Sequence, residues 1–163
     1  KKKLMAAWFP HKYFKGVVIN DNFCLGTYPA NGKFSADQKL IYSIVLDAQK
    51  NAIAALRPGV SWSSVVDTAL RALLTGLLEH GFVQGKMEDL IADRVAYVFM
   101  PHGLGHLAGL DVHDANIFPD ILTAGQVVTI EPGLYFNETA INEGLNKPST
   151  SKYLVKPKID AFM

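Results

Sequence analysis

Two apolar stripes of helical period, separated by Pro58-Gly59, dominate the first half of the sequence. In the first, Leu40, Ile41, Ile44, Val45, Ala48, Ala52, Ala55 and Leu56 recur at three- and four-residue steps, the spacing that lines one face of an α-helix. Thr27 to Gly32 reads as a loop, and Ser35 with Gln38 forms the capping-box pattern, so the helix is expected to open there and to stop at Pro58-Gly59. In the second stripe, from about Ser63, the residues Val65, Val66, Ala69, Leu70, Leu73, Leu74 and Leu77 share a face. Gly81 ends that run and Gly76 weakens it slightly. Met87 to Val95 suggests a shorter third helix. Val127-Val128-Thr129-Ile130 is β-branched and closes on Glu131-Pro132-Gly133, which predicts a buried strand and a turn. The class is therefore α+β. No repeat, low-complexity tract or Gly/Ser linker divides the 163 residues, a length that favours one domain with a substantial core over two.

Composition removes several functional classes. At 49% hydrophobic and 19% charged, the chain is too apolar to be mainly disordered. Sixteen Lys+Arg against fifteen Asp+Glu leave a net charge of +1, so no basic excess points to nucleic acid. The single cysteine, Cys24, excludes an intramolecular disulfide and a cysteine-based zinc knuckle, which fits a reducing compartment; a cytoplasmic location is expected. Apolar runs break well before the roughly 18 residues that span a bilayer, and Trp8-Phe9-Pro10-His11 interrupts any signal-peptide core, so no membrane segment is expected.

Chemistry concentrates in one short stretch. Three of the five histidines, His102, His106 and His113, fall within a dozen residues, among Pro101, Gly103, Gly105 and Gly109, which make a helix improbable. In extended chain, His102 and His106 point to the same side, and His113 joins them only through a bend near Gly109. Neutral imidazole is the commonest nitrogen ligand of transition metals, and Asp111, Asp114 and Glu131 are nearby candidates for oxygen ligation or support. A single histidine is more often surface or hydrogen-bonded core than ligand, and a strand-end Glu131 is as readily solvated as metal-bound. Their density within one segment is what favours chemistry. His80 reads as a partner of a helix C-terminus, and His11 has no interpretable context. Phosphate-binding Gly-Lys-Ser/Thr, Gly-x-Ser-x-Gly and His-Glu-x-x-His patterns are absent.

Phe99-Met100-Pro101-His102-Gly103-Leu104-Gly105-His106, Gly109-Leu110-Asp111-Val112-His113-Asp114 and Thr129-Ile130-Glu131-Pro132-Gly133-Leu134-Tyr135-Phe136 strongly resemble the Xaa-Pro dipeptidases (prolidases) of eukaryotic type. Pro29-Ala30-Asn31-Gly32-Lys33-Phe34 is similar to the same family, so the resemblance runs from about Thr27 to Phe136. It implies the catalytic half of a pita-bread α+β fold, a cytoplasmic homodimer, and two divalent metal ions, Mn²⁺ by expectation, that hydrolyse dipeptides with C-terminal proline. Carried over residue by residue, it implies His106 and Glu131 as metal ligands and His113 and His102 as catalytic residues beside the substrate. Methionine aminopeptidase shares fold and metal chemistry but resembles these motifs less.

The chain also departs from that family. Its dinuclear site resembles two metals held by two aspartates on a hairpin, one histidine and two glutamates, and both aspartates and the last glutamate lack counterparts here. Asn20 to Leu25 resembles the strand before that hairpin and Thr27-Tyr28-Pro29 the segment after it. The hairpin is thus expected between Gly26 and Thr27, which would not be neighbours in the complete molecule, and Asp21 is no convincing substitute. The stretch from Asp114 to Thr123 is shorter than in the family and lacks its substrate-contacting arginine. Residues 1–163 are thus expected to form a single, incomplete catalytic domain, without the family's amino-terminal domain and ending before the strand of the final glutamate. One His and one Glu cannot offset two cations, so these 163 residues alone are expected to be inactive. A non-catalytic pita-bread module that binds peptides or proteins is the alternative, against which His106 and Glu131 argue.

Overall fold

The computed structural model describes residues 29, 31–108, 110–111, 113 and 120–163. His11, Asp21, Cys24, the Gly26–Thr27 join, Gly109 and Asp114 lie outside the described residues.

Helix α1 (Ala36–Ala55) opens where the capping pattern places it: Ser35 Oγ accepts from the Gln38 backbone N–H, and Gln38 Oε1 accepts from the Ser35 N–H. Helix α2 (Trp62–Glu79) is capped by Ser61 and ends on His80. The two helices pack face to face, and Gly76 lies at their closest approach, where an added Cβ would sit 2.5 Å from Ile44 Cγ2. The glycine that costs α2 helical propensity thus permits the contact. Arg71 bonds Asp67 one turn back and grips Glu88 with both guanidinium nitrogens, tying α2 to the next helix.

The expected third helix is shorter than Met87–Val95. Helix α3 (Met87–Ala92) ends in a Schellman motif, with the Val95 N–H bonding the Leu90 carbonyl and the Arg94 N–H bonding that of Ile91. Arg94 occupies the left-handed position at φ 57°, where glycine is usual, so the residue type gives no stop signal. Helix α4 (Ala96–Phe99) follows.

The expected strand is also modified. Val128, Thr129 and Ile130 are extended and buried, yet their described pairing is a single antiparallel bridge, Leu107 to Val128. Three hydrogen bonds cross in one direction and its mirror: Ala108 N–H to Val127 O, Thr129 N–H to His106 O and Glu131 N–H to Leu104 O. The ladder is interrupted because the His106 N–H turns to the Thr129 hydroxyl instead of its carbonyl.

After Phe136 the chain forms α5 (Glu138–Asn146), capped by Asn137, then α6 (Pro148–Ser151) and α7 (Lys156–Asp160). These return to the end of α2: Gln84 N–H bonds Tyr153 O, Val155 N–H bonds Phe82 O, and the rings of Phe82, Phe136 and Phe162 stack against one another. Two buried clusters result. The larger joins the α1–α2 pair to α3, α4, α5 and α7, and the smaller packs Ala52, Leu56, Val65 and Ala69 beneath Leu104, Val128 and Ile130. The segments bearing the histidines and Glu131 therefore rest on a helical floor. No helix among the described residues is long and apolar enough to cross a membrane.

Candidate active site

Alternation along 127–131 sends Val128 and Ile130 into the smaller core and leaves Thr129 and Glu131 on the opposite face. Across from them, strict alternation would put Leu104 beside His102 and His106, but Leu104 is buried in the core. The two histidines share a side because the chain bends at residues 102–104, not because a regular strand carries them. Gly105 makes the close approach possible. A Cβ there would collide with the Thr129 carbonyl oxygen and lie 2.7 Å from its carbon. Thr129 Oγ1 in turn accepts from the His106 N–H at 2.9 Å and donates to the His106 carbonyl at 3.3 Å, holding both backbone groups of that residue.

A cleft of about 420 Å³ opens above this floor, lined by His102, Gly103, Gly105, His106, His113, Glu131 and Tyr135. All four residues singled out from the sequence meet here. Asp111 is exposed and is not among the lining residues.

His106 Nδ1 lies 2.9 Å from the Leu107 carbonyl, and its Nε2 lies 3.0 Å from Glu131 Oε1. A carbonyl only accepts, so Nδ1 carries a proton, and in the neutral ring Nε2 presents a lone pair to a carboxylate oxygen. Two electron-pair donors at that separation need positive charge between them, either a proton on Nε2 or a cation. Two ligands at right angles on one cation, with bonds of about 2.1 Å, are about 3.0 Å apart. The Nδ1–H to backbone carbonyl bond is also the usual support of a metal-bound imidazole. The pair therefore fits one edge of a metal's coordination shell. It does not complete one: among the described residues no group of three or more His, Cys, Asp or Glu is arranged to hold a metal.

The His113 ring stands edge-on to that of His106, centroids 4.6 Å apart. His102 Nδ1 donates to the Gly103 carbonyl at 2.7 Å, which leaves Nε2 to accept from the Tyr135 hydroxyl at 3.1 Å. Burial, with the nearby Glu131 charge, pushes the Tyr135 phenol above its ordinary value, so it keeps the proton it donates. Gly133 leaves room for that ring, since a Cβ there would sit 2.6 Å from it. Tyr135 and Thr129 were not legible as site residues: both lie inside the Thr129–Phe136 motif, but only the folded arrangement gives their hydroxyls partners.

A helix pair flooring an extended segment, with imidazoles and a carboxylate converging on one cleft, is the α+β pita-bread fold, of which this chain carries part. Residues 23–151 match the model of metallopeptidase family M24, and the chain belongs to that family. It is 39% identical over 151 residues to a probable Xaa-Pro aminopeptidase of Podospora anserina, covering 83% of this chain and 33% of that protein. It is 35% identical over 153 residues to the human Xaa-Pro dipeptidase, covering 83% and 31%. Among solved structures, the aminopeptidase PepP of Pseudomonas aeruginosa superposes with a TM-score of 0.65 at 35% identity, over 69% of this chain and 27% of that one. Zinc-substituted aminopeptidase P of E. coli in complex with product gives 0.65 at 39% identity, over the same shares. The chain thus spans about a third of the length of the curated relatives it matches. Those relatives carry both names, aminopeptidase and dipeptidase.

Proposed function

We propose that this chain is a single, incomplete catalytic domain of a metal-dependent Xaa-Pro dipeptidase, a cytoplasmic homodimer that hydrolyses dipeptides ending in proline. The observation that carries this reading is the 3.0 Å approach of His106 Nε2 to Glu131 Oε1, two lone-pair donors that require a cation or proton between them. Family membership supports metallopeptidase chemistry, and the Phe99–His106 run, which resembles the proline-specific branch more than methionine aminopeptidase, supports an Xaa-Pro substrate.

His106 and Glu131 would hold metal, with the remaining ligands supplied from outside the described residues. Two divalent cations, Mn²⁺ by preference, would supply Lewis acidity and a water nucleophile at neutral pH. His113, exposed beside His106, donates to the substrate carbonyl and to the negative charge that develops on it. His102 is fixed in one tautomer by Gly103 and Tyr135 and shapes the side of the cleft where the dipeptide lies.

The test is metal analysis beside steady-state kinetics on the complete protein. His106→Ala and Glu131→Gln should lower Mn²⁺ content, whereas His113→Ala should keep both ions and reduce turnover by about 100-fold, within the range for a lost transition-state donor. Equal metal loss in His113→Ala overturns that assignment of roles. Preference for Xaa-Pro-Xaa tripeptides over dipeptides would overturn the dipeptidase reading and favour aminopeptidase. The absence of a third ligand among the described residues favours a second reading for these 163 residues alone: weak Mn²⁺ binding without turnover, as in a non-catalytic pita-bread module.

A further inference from the structure

Gln49 is a fully buried residue on the inner face of α1, between Val45 and Ile53 and among apolar neighbours. Its Nε2 donates to the Ile130 carbonyl at 3.2 Å, across 81 positions of sequence. The orientation of the amide is forced, because a carbonyl cannot donate and the nitrogen must face it. Gln49 Oε1 then points into the interior with no hydrogen-bond partner among the described residues. A buried amide that leaves its acceptor unused does not serve a polar network within the core. Among the described residues, what its side chain bonds is the Ile130 carbonyl.

That bond falls on a particular peptide unit. The Ile130 carbonyl and the Glu131 N–H belong to the same planar group, and the N–H is held at the other edge by the Leu104 carbonyl. With both ends fixed, the plane cannot rotate, and the direction in which Glu131 leaves the backbone is set. We propose that Gln49 is a positioning residue for Glu131: from α1 its buried amide pins this peptide plane and thereby aims the carboxylate at His106. The proposal rests on the peptidase reading only for its metal readout.

Gln49→Met in the complete protein keeps side-chain length and removes both the donor and the unpaired acceptor. Metal-free thermal unfolding should be unchanged or rise slightly, exchange of the Glu131 amide should quicken about tenfold, and Mn²⁺ affinity measured by calorimetry should fall about tenfold. In a Glu131→Gln background, Gln49→Met should change Mn²⁺ affinity no further. Unchanged exchange at Glu131 overturns the proposal, as does unchanged affinity in a protein that binds Mn²⁺. Should Gln49→Met also lower the unfolding temperature, the double variant decides: an affinity loss that persists without the Glu131 carboxylate means a general structural role. If the unaltered protein binds no Mn²⁺, the peptidase reading fails, while the exchange measurement still tests Gln49.

Discussion

Replacing Gly105 by alanine should damage the cleft more than any other single added methyl group. The Cβ would lie 2.7 Å from the Thr129 carbonyl carbon, where ordinary contact begins at 3.4 Å, and closer still to the carbonyl oxygen, so the two segments must separate by at least about 0.7 Å. The obstacle is backbone, and its neighbours Leu104, Val128 and Ile130 are buried against α1 and α2, so nothing can swing aside. A shift of that size stretches the Thr129 N–H to His106 O and His106 N–H to Thr129 Oγ1 bonds from 2.9 Å to beyond hydrogen-bond range. Two lost bonds at about 1 kcal/mol each, with overpacking of about 1–3 kcal/mol, give about 3–5 kcal/mol. That is a large share of a typical domain's stability of about 5–15 kcal/mol. Gly103→Ala is the control, since a Cβ there meets nothing within 4 Å, and it should stay within about 0.5 kcal/mol of the parent. Urea unfolding of both variants measures the difference. If Gly105→Ala unfolds within 1 kcal/mol of Gly103→Ala, the close approach does not exist as described.

In the complete protein, Tyr135→Phe removes the donor that fixes His102 and should lower turnover about tenfold while leaving the unfolding temperature within about 3 °C, read by kinetics and calorimetry. The Tyr153 hydroxyl, first, and then Lys152 hold the Asp93 carboxyl below its ordinary value, so its contribution is present above about pH 4 and is lost as pH falls through the lower, folded-state value. Asp93→Asn should therefore be less stable than the parent at pH 7, and the gap should close in thermal melts taken from pH 4 downward. Gly76→Ala gains helix propensity but overlaps Ile44, so it should destabilise by about 1–2 kcal/mol, and Ile44→Ala in the same chain should relieve the clash, as double-mutant unfolding would report.

What could be read from the sequence is what neighbours in sequence decide. The Ser35–Gln38 cap, the stripes of α1 and α2 and the buried run before Glu131 all rest on spacings of two to four residues, and each has its counterpart in the fold. The remaining elements depend on hydrogen bonds and packing that residue type does not signal. Arg94 takes a glycine's conformation because the two Schellman bonds, Arg94 N–H to Ile91 O and Val95 N–H to Leu90 O, hold it there. Helices α5 to α7 carry few apolar residues of regular period: α5 packs Gly144 against Val98 of α4, and the segments after α6 and α7 dock Leu154 on Val83 and Phe162 on Phe82. At the cleft, the histidines and Glu131 announce themselves by residue type. Thr129, Tyr135 and Gln49 do not, because a hydroxyl or amide becomes informative only when its partner, 23 to 81 residues away, is known.

The junction of Phe82–Gln84 with Tyr153–Val155 has an evolutionary consequence. It fastens both ends of the stretch that builds the cleft, so the connections between the packed elements of that stretch run within endpoints set by aromatic and backbone contacts elsewhere. Once endpoints are fixed, doubling a flexible loop's length costs only about 0.6 kcal/mol of closure entropy. Insertions and deletions there can reshape the walls of the cleft while the helical floor and the fastening stay as they are. A fold built this way can change the shape of its cleft by altering loop length, without redesigning its core.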